Sequence, residues 1–183
     1  MIKKKLTLNI VLIGLMGSGK TMIAKSLAQK LKVKYFSIDA MIEARQKRSI
    51  AKIVENKGWP YFRKLEGQMV KKLSRKKGIV IDCGGGVVLN PKNFELLKKN
   101  GMIFHLKATP QVIYKRLKGD QTRPLINGPN PLARIRKIFK ERLPLYSQAD
   151  FTIDASDPAI DGPVAEIFEV LENFPTPKSL ETK

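Results

Sequence analysis

The chain has 183 residues, of which 43% are hydrophobic, and this size suits one α/β domain with a substantial core. No apolar run approaches the roughly 20 residues that span a membrane, so we expect no membrane segment. The basic residues 1–5 are followed at once by a predicted strand, so we expect no removable signal or transit peptide. The single cysteine, Cys83, excludes an internal disulfide and indicates a cytoplasmic protein.

The net charge of +19 is unusually high and unevenly distributed. Residues 151–183 contain two lysines and seven acidic residues, so the positive excess lies in residues 1–150. A basic surface can bind nucleic acid, or it can attract anionic small molecules. We favour the second interpretation, because the lysines are spread over most predicted helices and lack interleaved aromatic side chains.

Strand and helix signals alternate along the whole chain. Strands are predicted at 8–13, 33–38, 78–82, 102–106 and 149–154. Helices are predicted at 22–31, 40–45, 49–54, 60–73, 91–97, 109–117, 131–146 and 158–174. This alternation predicts a parallel sheet with helices on both faces, a three-layer α/β/α fold.

The chain is predicted to form a single domain over residues 1–174, followed by a polar tail at 175–183. Helical periodicity disappears at about 118–130, where glycines and prolines accumulate. That segment is long enough to be a lid over a binding site.

Residues 14–21 read G-x-x-x-x-G-K-T between the first predicted strand and the first helix, the pattern of a phosphate loop. Glycines let successive backbone N–H groups point at a phosphate, and the helix start adds further N–H groups. The Lys20 ammonium can reach the β- and γ-phosphates, and the Thr21 hydroxyl can bind Mg²⁺. ATP is therefore expected to contact Gly17, Ser18, Gly19, Lys20, Thr21 and Met22.

A second group of residues follows the other strands and lies on the helices. Asp39, after the second strand, is either a group that orients an attacking hydroxyl or a helix cap. Gly84, Gly85 and Gly86, after the third, form either a backbone binding surface or a flexible turn. Two arginines on separate helices and one in the predicted lid could bind a carboxylate or a phosphoryl group: Arg63, Arg142 and Arg123.

Taken together, these motifs resemble the shikimate kinase family, over about residues 8 to 172. The resemblance rests on the phosphate loop, Asp39-Ala40-Met41-Ile42-Glu43, Phe62-Arg63-x-x-Glu66, Gly84-Gly85-Gly86, Arg123-Pro124-Leu125 and Arg142-x-Pro144-Leu145-Tyr146. It implies a five-stranded parallel sheet of the nucleoside-monophosphate-kinase type with a lid. It also implies transfer of a phosphoryl group from ATP, with Mg²⁺, to the 3-hydroxyl of shikimate.

The resemblance also implies a role for each matching residue. Asp39 would contact the reacting hydroxyl. The shikimate carboxylate would be held by Arg63 and Arg142, and the glycine turn would supply backbone contacts. Lys20 and Arg123 would stabilise the phosphates, Thr21 would bind the metal, and Arg116 would stack on adenine.

The chain departs from that family at the end of the second predicted strand. The family usually has Asp-x-Asp there, with its first aspartate near the metal, and this chain has Ser37. An aspartate instead ends the third predicted strand, at Asp82. Our hypothesis is that Asp82 supplies the carboxylate that Ser37 lacks; the alternative is an incidental polar strand end.

Two other functions stay open on the sequence. One is a different small-molecule kinase of the gluconate or nucleotide type, and the other is a nucleotide-regulated nucleic-acid-binding protein. The retained set of candidate catalytic residues disfavours nucleic acid as a partner. We expect a monomer whose partner is the small-molecule substrate.

Overall fold

A five-stranded parallel sheet forms the centre of the protein. The structure, a computed structural model, describes residues 7–119 and 128–173. Within them the strands are β1 (Asn9–Ile13), β2 (Lys34–Ser37), β3 (Ile79–Asp82), β4 (Gly101–Lys107) and β5 (Phe151–Asp154). Their order is β2-β3-β1-β4-β5, and every neighbouring pair is parallel. The predicted five-stranded parallel sheet is therefore confirmed.

Helices connect the strands. They are α1 (Lys20–Leu31), α2 (Ile38–Gln46), α3 (Ile50–Leu73), α4 (Pro91–Lys99), α5 (Pro110–Leu117), α6 (Pro131–Tyr146) and α7 (Asp161–Asn173), with a short 3₁₀ helix at Val87–Leu89. In the described residues, no helix is both long and apolar enough to cross a bilayer.

The core has two parts because alternate strand residues point to opposite faces of the sheet. Val11 and Ile13 of β1 pack with side chains from α2, α3, α5 and α6. Ile10 and Leu12 pack with side chains from α1 and α7. The sheet is thus covered on both faces, which is the predicted three-layer arrangement.

The second strand ends one residue earlier than predicted, which changes the environment of Asp39. β2 ends at Ser37, and the Ser37 Oγ accepts a hydrogen bond from the Ala40 N–H at 3.3 Å, so Ser37 caps α2. Asp39 lies in the first turn of this helix. The Asp39 carboxylate is therefore not the cap of α2.

The predicted helices at 49–54 and 60–73 form one element, α3, which is kinked at Gly58. Gly58 has φ 75° and ψ 169°, a conformation outside the helical region. The closing helix α7 begins at Asp161 rather than near residue 158. The loop before it is held by two turns, in which Asp154 Oδ1 accepts from the Ser156 N–H and Asp157 Oδ1 accepts from the Ala159 N–H.

Candidate active site

The phosphate loop joins β1 to α1 and has the backbone conformation that its glycines predict. Gly14, Gly17 and Gly19 have φ angles of 144°, 75° and 89°. A Cβ atom on Gly14 would lie 2.5 Å from the Leu106 carbonyl oxygen, so the loop packs directly on the end of β4. Ser18 within the loop is fully buried, whereas Met22 on the first turn of α1 is 60% exposed.

The Lys20 side chain turns back over this loop. Its ammonium donates to the Leu15 carbonyl oxygen at 2.9 Å and to Ser18 Oγ at 3.4 Å, and Lys20 is only 8% exposed. The positive charge is thus held against the backbone that is expected to bind phosphate. This position suits an electrostatic role toward a triphosphate.

Thr21, in the first turn of α1, and Asp82, at the end of β3, lie side by side. The Thr21 hydroxyl donates to Asp82 Oδ2 at 2.7 Å, and the Tyr35 hydroxyl donates to the same oxygen at 3.2 Å. Burial, reinforced by the Asp82 charge, raises the pKa of Tyr35 to about 12, so the phenol is protonated at neutral pH. A hydroxyl and a carboxylate side by side provide the oxygen ligands that Mg²⁺ prefers, so these residues fit that ion.

The three glycines after β3 allow close approach of functional groups. A Cβ atom on Gly84 would lie 2.7 Å from Asp39 Oδ1. A Cβ atom on Gly85 would lie 3.2 Å from the Met16 backbone nitrogen. At Gly86 a Cβ would overlap the Arg63 guanidinium. All three have φ angles outside the positive range, so space, and not backbone conformation, requires glycine here.

Arg63 on α3 is held by a buried acid one turn later. Its Nη1 donates to both carboxylate oxygens of Glu66 at 2.8 Å, and Glu66 is fully buried. The guanidinium also lies 5.3 Å from the Trp59 ring centre and 5.1 Å from that of Phe62. Burial raises the pKa of Glu66, Arg63 opposes that rise, and the Asp39 charge adds to it.

Glu66 is a site residue to which the sequence reasoning gave no role. The available signal was the spacing of three between Arg63 and Glu66 on a predicted helix, which places the two side chains on one face. Its complete burial was not visible in the sequence, because a polar residue on such a helix is usually exposed.

The last turns of α6 contact the carbonyl group of Gly85. Arg142 Nη1 donates to this oxygen at 2.9 Å, and the Tyr146 hydroxyl donates to it as well. Burial raises the pKa of Tyr146 to about 12, so this phenol also stays protonated at neutral pH and can donate its hydrogen bond. Arg142 is 7% exposed, which is unusual for an arginine on a helix surface. The structure therefore gathers Asp39, Arg63 and Arg142 around the glycine turn.

Arg116 at the end of α5 ties three segments together. Nη1 donates to the carbonyl oxygens of Gly17 and Ala155, and Nη2 donates to those of Ser156 and Asp157. The edge of the guanidinium plane is thus occupied by backbone carbonyls beside the phosphate loop. A flat, fixed cation in this position can stack on an aromatic base.

Three of the sequence predictions fall wholly or mostly outside the described residues. Arg123 and most of the predicted lid lie in residues 120–127, and the polar tail lies in residues 174–183. The other predicted site residues are described above, and they form a donor group around the phosphate loop and an acceptor group around the glycine turn. The two groups meet where Gly85 packs on the backbone of Gly14 and Met16.

Comparison with known proteins gives matches over most of the chain. The sequence model of shikimate kinase matches residues 16–172. A shikimate kinase from Caldanaerobacter subterraneus subsp. tengcongensis is 46% identical over 159 residues, which cover 87% of this chain and 93% of the relative.

Two solved structures are similar in fold and sequence. The shikimate kinase from Acinetobacter baumannii in complex with shikimate has a TM-score of 0.90 and 31% identity, covering 94% of this chain and 97% of that one. The shikimate kinase from Aquifex aeolicus has a TM-score of 0.80 and 35% identity, covering 90% of this chain and 96% of that one.

Proposed function

This chain belongs to the shikimate kinase family, and we propose that it transfers the γ-phosphoryl group of ATP to the 3-hydroxyl of shikimate. The products are shikimate 3-phosphate and ADP, in aromatic amino-acid biosynthesis. One observation supports this function most directly: Asp39, Arg63 and Arg142 surround a glycine turn that packs on the phosphate loop. An acceptor held there would lie beside the donor phosphates.

On the acceptor side, we assign the carboxylate of shikimate to the two guanidinium groups. Arg63 and Arg142 approach the glycine turn from α3 and α6, and each can pair with a carboxylate oxygen. Asp39 orients the 3-hydroxyl and accepts its proton as the oxygen attacks phosphorus. Backbone groups of Gly84, Gly85 and Gly86 line the acceptor site, because glycines carry no side chain that would cover them.

On the donor side, the backbone N–H groups at 17–22 hold the phosphates, and Lys20 offsets their charge. Arg116 stacks on adenine, and Arg123 from the predicted lid adds positive charge near the transferred group. Thr21 and Asp82 would hold Mg²⁺, which would supply positive charge to offset that of the phosphate oxygens. Transfer is direct and in line, so the protein acts mainly by positioning and electrostatic stabilisation.

We also propose the simplest organisation for this activity. Residues 1–174 form a single cytoplasmic kinase domain that works as a monomer, with residues 118–130 as its lid. The closed lid would exclude water, so ATP would be transferred to shikimate and not hydrolysed.

The test is ADP formation from ATP and Mg²⁺ with shikimate, gluconate or a nucleoside as acceptor. We expect turnover that requires shikimate and a product carrying one additional phosphate. Turnover with another acceptor only, or ATP hydrolysis that ignores shikimate, would contradict the proposal. Nucleic-acid retention without turnover would favour the binding-protein alternative.

Asp39→Asn tests the assignment of the reacting group. Removing the carboxylate while keeping its shape should lower kcat by about 10²- to 10⁴-fold, because proton transfer from the attacking hydroxyl loses its acceptor. The measurement is the steady-state rate at saturating ATP and shikimate. Asp161→Asn is the matched control, since the Asp161 side chain on α7 is 89% exposed and forms an ion pair with Lys30, in the last turn of α1. An Asp39→Asn enzyme with the rate of the control would refute the role of Asp39.

A further inference from the structure

Tyr35 on β2 contacts the metal-side residues but has no assigned role. Its hydroxyl donates to Asp82 Oδ2, the same oxygen that accepts from Thr21. We propose that Tyr35 is a positioning residue that fixes the Asp82 carboxylate for its interaction with the Mg²⁺–nucleotide complex. This inference rests on the proposed function, because it deepens the assignment of Asp82 to the metal.

The register of the sheet explains how Tyr35 reaches that carboxylate. Ser37 on β2 is paired with Asp82 on β3, and Tyr35 is paired with Val80. Tyr35 and Ser37 are two residues apart, so both face the same side of the sheet as Asp82. That side carries α1, where Tyr35 and Val80 pack in the same apolar cluster as Ile23. The phenol therefore crosses diagonally to the end of β3, toward Thr21.

The arrangement restricts a carboxylate that would otherwise rotate. The Cβ–Cγ torsion of an aspartate is broad, so one hydrogen bond leaves the carboxylate plane poorly defined. Two donors on Oδ2, one from α1 and one from β2, fix that oxygen from two directions. Asp82 is only 4% exposed, so bulk water competes little for these bonds.

This role differs from a purely structural one in its measurable consequence. If Tyr35 only filled the core, Tyr35→Phe would keep the ring and change nothing at the metal. If Tyr35 orients Asp82, loss of the hydroxyl should weaken Mg²⁺ binding and leave metal-free nucleotide binding intact. Groups that orient a metal ligand are worth about 10- to 100-fold in metal affinity.

The experiment measures ADP affinity by calorimetry across a Mg²⁺ titration and, separately, with the metal chelated. Mg²⁺ is expected to increase ADP affinity, and the Mg²⁺ concentration that gives half of this increase should rise about 10-fold in Tyr35→Phe. The affinity for ADP without metal should stay unchanged. Tyr61→Phe is the matched control, because its hydroxyl makes a similar bond to Gln46 Oε1 at 3.3 Å, between α3 and α2. It should match the wild type in both titrations.

A double-mutant cycle with Asp82→Asn identifies the partner through which Tyr35 acts. If the phenol works through the carboxylate, adding Tyr35→Phe to Asp82→Asn should change the Mg²⁺ dependence no further. A normal Mg²⁺ dependence in Tyr35→Phe would overturn the inference. The inference would also be overturned if Tyr35→Phe weakened Mg²⁺ dependence as much in the Asp82→Asn background as in the wild type. A loss of metal-free ADP affinity as large as the loss of Mg²⁺ affinity would overturn it too.

These results are independent of the test for phosphoryl transfer. The titrations contain no shikimate and need no turnover. A wild type that binds Mg²⁺ and ADP without phosphorylating shikimate would refute the proposed function and leave the role of Tyr35 to be decided by the variants. A wild type that turns over shikimate while Tyr35→Phe binds the metal normally would refute only the inference.

Discussion

Each glycine of the turn at 84–86 lies against a different functional group. Gly84 approaches the Asp39 carboxylate, Gly85 approaches the phosphate-loop backbone, and Gly86 approaches the Arg63 guanidinium. One added methyl group would therefore disturb a different part of the site at each position. These residues do not need positive φ angles, so alanine would be tolerated by the backbone itself.

Gly86→Ala should weaken shikimate binding, because the new methyl group takes the place of the Arg63 guanidinium. Loss of one charge-assisted hydrogen bond is worth about 1.5–3 kcal/mol, so we expect the Kd for shikimate to rise about 10- to 100-fold. The fluorescence of Trp59, the single tryptophan, reports binding because its ring contacts Arg63.

Gly162→Ala is the control for that measurement, since a Cβ at Gly162 on α7 meets no atom within 4 Å. Metal-free ADP affinity should be similar in both variants and in the wild type. Shikimate affinity that is unchanged in Gly86→Ala would show that Arg63 can move without cost, contrary to the proposed role.

At the level of elements, the kink in α3 determines how its second half meets the site. Both halves contact α2, since the Ile50 N–H donates to Glu43 Oε1 before the kink and the Tyr61 hydroxyl donates to Gln46 Oε1 after it. The second half also carries Arg63 and Glu66 beside the glycine turn. The φ and ψ angles of Gly58, 75° and 169°, lie in a region that essentially only glycine adopts. Pro60 follows two residues later, where its missing N–H suits the first turn of a new helical segment.

Gly58→Ala should destabilise the protein by about 1–3 kcal/mol, because alanine must adopt that conformation or the kink must straighten. A Cβ at Gly58 would meet only Pro60 Cδ, at 3.5 Å, so the cost is conformational and not a clash. Urea denaturation followed by circular dichroism measures the free energy of unfolding. Gly162→Ala again serves as control, and equal stability of the two variants would contradict the interpretation.

The sequence predicted the elements well because its signals are local. Hydrophobic runs gave the strands, and the glycine and lysine spacing gave the phosphate loop with its strand–helix context. The predicted start of α7 was about three residues too early, because the Asp154 and Asp157 side chains form turns that compete with a helix.

The contacts between distant residues were harder to predict. Asp82 was proposed as a metal-side residue from its position at a strand end, but its bond to Thr21 depends on β3 lying next to β1. That strand order is a tertiary property that local patterns do not encode. The same holds for the burial of Glu66 and for the hydrogen bonds from Arg142 and Tyr146 to Gly85, which join segments more than 50 residues apart.

At the level of the whole molecule, a stacked pair of rings links the sheet to α6. His105 on β4 stacks on Tyr146 with ring centres 4.9 Å apart and planes inclined by 18°. Burial, with smaller contributions from Lys107 and Lys20, lowers the pKa of His105 from 6.5 to about 4. The imidazole is therefore neutral in the folded protein at neutral pH.

The lowered pKa of the buried His105 should make the fold sensitive to mild acid. Below pH 6.5 the unfolded chain binds a proton at His105 that the folded chain does not take up until about pH 4. Between pH 7 and pH 4.5 the free energy of unfolding should therefore fall by up to about 2–3 kcal/mol from this group alone.

His105→Phe isolates that contribution, since phenylalanine keeps a ring against Tyr146 and cannot titrate. Urea denaturation at pH 7, 6, 5 and 4.5 should show a smaller acid-dependent loss of stability in the variant than in the wild type. Parallel pH profiles for the two proteins would show that His105 is protonated in the folded state as readily as in the unfolded chain.

The glycine turn has a final consequence for how this enzyme can change over evolution. The surface that separates the donor group from the acceptor group is main chain at 84–86, and the carbonyl of Gly85 is already bonded to two side chains of α6. The backbone N–H and C=O groups at 84–86 keep the same chemistry when the residue changes. A residue larger than glycine at one of these positions would press on Asp39, the phosphate-loop backbone or Arg63. A new acceptor preference is therefore expected to arise from mutations on α2, α3 and α6, whose side chains surround this main-chain surface.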